Sequence, residues 1–159
     1  MEQKPGRMLA IDYGLKRVGI AVTDPLQIIA TPLTTVATPT LFLFLKDYLQ
    51  KESVVAFVMG MPKGLDGAPS KMSRVVEALG AQLKATFPAQ SLYYQDERFT
   101  SKLAMQGLYQ AGYSKKDRAH KGNIDKVSAA IILQSFLNNK ACIPFSPRLR
   151  PSINEFGTQ

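Results

Sequence analysis

Residues Met8–Asp24, MLAIDYGLKRVGIAVTD, read as two short strands, Met8–Ile11 and Val18–Thr23, joined by a tight turn at Gly14. In the second strand Val18, Ile20 and Val22 alternate with Gly19, Ala21 and Thr23, so one face is bulky and the other small. A small face lets a helix or a ligand come close. Asp12 stands where the first strand ends. Acids are depleted from strand interiors, so Asp12 needs a reason. It is either a turn acid bonding backbone near Gly14, or a carboxylate at the sheet's working edge, where α/β folds bind ligands. The stretch alone leaves both readings open.

Outward from this hairpin, Asp24-Pro25 turns the chain and Ile28–Val36 reads as a third strand. Pro32 implies an edge position or a bulge there. The short links predict an antiparallel meander. Pro39–Gln50 carries Leu41, Phe42, Leu45 and Leu49 at helical spacing. Val54–Met59 is a continuous apolar run, the pattern of a strand buried on both faces. The loop GMPKGLDGAPS follows, and Lys63 is its best candidate for a phosphate contact. Ser70 is placed to cap a helix whose inward stripe is Met72, Val75, Val76, Leu79 and Leu83.

Ser91–Gln95 reads as a fifth strand, stopping at Asp96-Glu97-Arg98. Thr100 or Ser101 can cap a further helix ending at Gly112, and a basic loop runs to Asn123. Asn123 is expected to cap a last helix, Ile124–Leu137, burying Ala129, Ile132, Leu133 and Phe136, with Asp125 in its first turn. Residues 1–141 are read as a single domain, and 142–159, with Pro144, Pro147 and Pro151, as an irregular or disordered tail.

The 159-residue chain is 45% hydrophobic, enough for one sizeable core. Its 20 Lys and Arg against 12 Asp and Glu leave a net charge of +8, which points to a polyanionic partner. One cysteine, Cys142, excludes an intramolecular disulfide framework and a thiolate zinc cluster. One histidine, His120, excludes multi-histidine metal sites. No apolar run approaches a membrane span, and MEQKPGR has no signal core behind its bases. The expected location is the cytoplasm, with no membrane partner.

Three acids stand out by position: Asp12 and Glu97 at strand ends, and Asp125 after the basic loop. Each has an ordinary reading. Glu97 could pair with Arg98 or Lys102, and Asp125 could complement the helix macrodipole, worth roughly 0.3–1 kcal/mol. Together they form an all-oxygen donor set without His or Cys, suited to Mg²⁺ or Mn²⁺. Three carboxylates gathered without a cation repel one another. Two divalent ions about 3.5–4 Å apart can activate a water and stabilise the leaving oxygen of an in-line phosphodiester displacement.

IDYGLKRVGIAVTD, GMPKGLDG, DERFTS and KGNIDKVSAAIILQSFL, in this order from about Met8 to Leu137, resemble the YqgF (RuvX) family of RuvC-like nucleases in the RNase H-like superfamily. The resemblance implies an α/β fold with a central five-stranded mixed sheet, its first three strands antiparallel, flanked by helices. It implies Asp12, Glu97 and Asp125 as the metal-binding catalytic acids, with Mg²⁺ or Mn²⁺, two ions in all, as cofactor. It also implies a metal-dependent endonuclease of structured nucleic acid. The family's usual substrate assignment is the 5′ end of precursor 16S rRNA, which brings the ribosome in as a partner. The alternatives are a four-way (Holliday) DNA junction, or a non-catalytic nucleic-acid- or ribosome-binding module of the same fold.

Arg17, Lys63, Arg98 and Lys121 are the candidate phosphate contacts, and Thr100 is expected to shape the site. RuvC-type resolvases carry two acids in the final helix; here Ser128 and Ala129 stand one turn beyond Asp125. Strand alternation predicts that only one of Asp96 and Glu97 reaches the site, and the motif selects Glu97. Asp24 is expected to serve its turn. The chain is expected to be a monomer or a weak homodimer.

Overall fold

The computed structural model describes residues 6–62, 70–96, 121–138 and 143–144. The opening hairpin forms as its alternation predicts. β1 (Arg7–Tyr13) and β2 (Arg17–Thr23) pair antiparallel, with Ile11 opposite Ile20 and Asp12 opposite Gly19. β3 (Ala30–Ala37) adds antiparallel to β2 at the edge of the sheet. Pro32 sits on this edge strand beside a bulge. Ile20 pairs with Thr34 and Ala21 with Pro32, which leaves Leu33 as the extra residue.

β3 starts later than the apolar pattern suggests. Ile28 and Ile29 lie outside it, 60% and 62% exposed. The cause is Asp24. Its Oδ1 accepts the backbone N–H of Ile28 at 2.9 Å and of Ile29 at 2.8 Å, and its Oδ2 accepts that of Leu26 at 3.1 Å. Gln27 takes a left-handed φ of 61° inside this turn. Asp24 is thus a turn residue, as expected, and the donors it engages are those a longer strand would have used.

Thr38–Thr40 forms a short 3-10 turn, so α1 (Leu41–Lys51) begins after Pro39. Leu41 and Leu45 are its fully buried pair. β4 (Val54–Met61) lies between β1 and β5 (Ser91–Asp96) and is parallel to both. Parallel neighbours need a crossover, and α2 (Lys71–Thr86) supplies it between β4 and β5. α2 starts on a capping box. The Ser70 hydroxyl accepts from the Ser73 backbone N–H at 3.2 Å, and the Ser73 hydroxyl accepts from the Ser70 N–H at 2.7 Å. Its buried stripe is Val76, Leu79 and Leu83, whereas Val75 lies at the margin, 36% exposed.

The sheet order is β3-β2-β1-β4-β5-β6, where β6 (Ile143–Pro144) pairs antiparallel with β5. The five expected strands are therefore joined by a sixth, from a segment read as irregular. Two residues, one of them proline, carry no period that could announce a strand.

Alternation sorts the sheet into two faces. Leu9, Ile11, Val18, Ile20, Phe57 and Met59 pack with α1 and α2. Met8, Ala10, Ala21, Ala56 and Val58 pack with Ala129, Ala130, Ile132 and Leu133 of α3 (Lys121–Asn138). Each fully buried Ile or Leu contributes about 1.5–3 kcal/mol to this docking. α3 starts at Lys121, two positions before the expected cap Asn123. Among the described residues, no helix is long and apolar enough to cross a membrane.

Candidate active site

Gly19 is the point on which the site is built. It pairs with Asp12, and paired residues of neighbouring antiparallel strands point to the same face. That face is the one α3 covers, because Met8 and Ala10, four and two residues before Asp12, pack there. A Cβ at Gly19 would run into the backbone carbonyl of Asp125. The first turns of α3 therefore rest directly on β2 backbone, beside Asp12. The small face of β2 admits a helix, and the helix brings the second acid.

Asp125 is the fifth residue of α3, not part of its first turn. The macrodipole's pull on a carboxylate fades beyond that turn, so it does not account for the position. Its partner is Arg17, whose Nε donates to Asp125 Oδ2 at 3.0 Å; the two side chains are 40% and 28% exposed. Arg17 opens β2 and projects to the α3 face, one pleat before Gly19. The turn ahead of it is held in place. The Thr38 hydroxyl donates to the Gly14 carbonyl at 2.7 Å, and the Thr38 N–H donates to the Lys16 carbonyl at 3.1 Å. Gly14 is required for closure, since a Cβ there would sit 2.5 Å from the Arg17 carbonyl oxygen.

Of the residues singled out in the sequence, Asp12, Arg17 and Asp125 are thus gathered around Gly19. Glu97, Lys63, Arg98 and Thr100 lie outside the described residues. Lys121 opens α3. The faces of β5 are defined up to its last residue. Tyr93 packs on Phe136 of α3, ring centroids 5.0 Å apart, while Leu92 and Tyr94 join the opposite core. Asp96 shares the parity of Leu92 and Tyr94, which turns it away from the α3 side.

Among the described residues, no group of three or more His, Cys, Asp and Glu is close enough to hold a metal ion. The pair that is described, Asp12 and Asp125, offers carboxylate oxygens alone. That chemistry fits a hard divalent ion better than a soft one. The role of Gly19 as the seat of α3 was not apparent from the sequence. Its only signal was the small side of the Val18–Thr23 alternation.

A profile of the RuvX family, described as Holliday junction resolvase, matches residues 6–139. A protein of Amoebophilus asiaticus named "Putative pre-16S rRNA nuclease" is 52% identical over 134 residues, 84% of this chain and 95% of that one. A protein of the same name from Flavobacterium johnsoniae is 50% identical over 134 residues, 84% of this chain and 97% of that one. Among solved structures, Thermus thermophilus RuvC in complex with a Holliday junction superposes with a TM-score of 0.54 at 18% identity, covering 88% of this chain and 99% of that chain. The last likeness concerns the fold, and it agrees with the mixed sheet and its antiparallel opening strands. By the span of the profile and the identity of these relatives, the chain belongs to the RuvX family.

Proposed function

We propose that this chain is a divalent-metal-dependent endonuclease that cuts structured RNA at the 5′ end of precursor 16S rRNA, in the cytoplasm. The observation that carries the reading is the seating of α3 on Gly19, which brings Asp125 to the face that Asp12 occupies. The names of the relatives supply the substrate, and the net charge of +8 suits it.

Asp12 and Asp125 would hold Mg²⁺ or Mn²⁺ together with Glu97. Glu97 is selected by its D-E-R motif, directly after the last residue of β5. When bound, two such ions supply a nucleophilic water and neutralise charge at the leaving oxygen. The chain's own residues do the rest. The carboxylates would fix where the cation sits, and Lys63, Arg98 and Lys121 would contact substrate phosphates, with Thr100 helping to shape the site. The DNA-junction reading is favoured by one observation, the description of the matching family.

The test is a cleavage comparison of precursor rRNA, single-stranded RNA and a four-way DNA junction, with Mg²⁺, with Mn²⁺ and with chelator. Wild-type protein is expected to cut the precursor, and Asp12→Asn to lose about 10²–10³-fold in rate, the loss of a few kcal/mol of charge stabilisation. A folded Asp12→Asn protein that cuts at the wild-type rate overturns the proposal. Salt-dependent RNA binding with no cleavage of any substrate would leave a binding module instead.

A further inference from the structure

Arg17 has the attributes of a phosphate contact, yet it points at a carboxylate. Asp12, Arg17 and Asp125 surround Gly19, and Asp12 is diagonal to Arg17 across the β1–β2 pair, a spacing of about 7–8 Å between Cα atoms. One hydrogen bond joins Arg17 to Asp125, through Nε and Oδ2 at 3.0 Å. It uses one of the five N–H donors of the guanidinium rather than the two-point fork of a rigid clamp. Both side chains are partly exposed, so water screens the pair and separation is inexpensive. The turn that carries Arg17 is fixed by Thr38, so the guanidinium can swing on its stem while its Cα stays put.

We propose that Arg17 is an exchangeable counter-cation of Asp125. It neutralises the carboxylate while no divalent ion is bound, and it is handed over to a substrate phosphate when the ion arrives. This rests on the metal-dependent reading above and adds to it a coupling between the two ligands. Without a divalent ion, Asp12 and Asp125 are the described carboxylates nearest Arg17, and their negative charge disfavours a phosphate beside it. A divalent ion on the carboxylates reverses that balance and leaves Arg17 without its anion, and a phosphate oxygen is the natural replacement. Binding free energies are reciprocal, so nucleic acid on Arg17 must tighten the divalent ion by the same factor. Arg17 is therefore a positioning residue for the acid and the link between cation and polyanion.

The experiment titrates Mn²⁺ by electron paramagnetic resonance into wild type, Arg17→Gln, Arg17→Lys and Asp125→Asn without nucleic acid. Fluorescence anisotropy then follows an RNA hairpin with and without Ca²⁺ at constant ionic strength. Arg17→Gln is expected to bind Mn²⁺ about two- to five-fold tighter than wild type, the strength of a partly exposed pair. The same variant should lose the Ca²⁺-dependent gain in hairpin affinity that wild type shows. Arg17→Lys keeps the charge without the planar group and should fall between the two. It also serves if Arg17→Gln does not fold. Mn²⁺ affinity that is unchanged or weaker in the Arg17 variants, with Asp125→Asn clearly weakened, overturns the counter-cation role. Mn²⁺ affinity indifferent to Asp125→Asn overturns the metal site itself.

Discussion

Gly19→Ala tests how the site is assembled. The added methyl would meet the backbone carbonyl of Asp125, and backbone at the buried face of a packed helix cannot swing aside as a side chain can. To reach ordinary van der Waals distance, the start of α3 must lift by about 1 Å or more. Overpacking of this kind costs typically 1–3 kcal/mol. A backbone obstacle argues for the upper end, about 3 kcal/mol. For a domain of this size that is a fall in Tm of roughly 6–12 °C. Catalysis should suffer more than stability, because the same lift carries Asp125 away from Asp12. A misplacement of about 1 Å is enough for a loss of roughly 10²-fold in rate. Thermal unfolding by circular dichroism measures the first effect. Cleavage of precursor rRNA in Mg²⁺, at a temperature where the variant is fully folded, measures the second. A Gly19→Ala protein with wild-type Tm and wild-type rate would show that α3 does not rest on β2, and the proposed geometry would fall with it.

Two further perturbations address the frame. Ser70→Ala removes one half of the capping box on α2 and should cost about 1 kcal/mol, a drop in Tm of about 2–4 °C, with cleavage unaffected at low temperature; an unchanged Tm would refute the cap's contribution. Asp24 tests pH dependence. The backbone N–H of Ile29 foremost, then those of Ile28 and Leu26, hold its carboxyl below the ordinary range. Its folded pKa is lowered, so its contribution to stability is present above the unfolded value of about 3.9 and is lost as pH falls through the folded one. Urea unfolding should therefore show wild type more stable than Asp24→Ala at pH 7, with the gap closing below about pH 4. A gap that persists unchanged from pH 7 to well below pH 4 would refute the assignment.

How much of this could be read from the chain depended on distance along it. The two faces of β2 are written in the alternation of Val18, Ile20 and Val22 with Gly19, Ala21 and Thr23, and the structure uses both faces that way. The buried run of β4 and the cap at Ser70 are likewise local patterns. Ile28 and Ile29 were misread as strand because hydrophobicity does not register a side chain, Asp24, that takes their N–H groups. Asn123 looked like the start of the last helix because cap residues signal an N-terminus, but α3 continues through it from Lys121. The pairing of Arg17 with Asp125 spans 108 positions, and no spacing rule reaches that far. A basic residue near a working edge suggested a phosphate contact on chemistry alone; that an acid occupies it first depends on where α3 docks.

The dependence of the site on α3 bears on the order in which the protein is made. Asp12 emerges from the ribosome early, on a hairpin that folds from local contacts, whereas Asp125 and the apolar stripe that covers Met8, Ala10, Ala21 and Val58 come more than a hundred residues later. A nascent chain that has not yet reached Lys121 lacks the helix that packs on Met8, Ala10 and Ala21, and with it one of its acids. On the proposed function, hydrolytic competence is the last property acquired in synthesis. Truncated or stalled products would be inert toward the RNA of the machine that makes them.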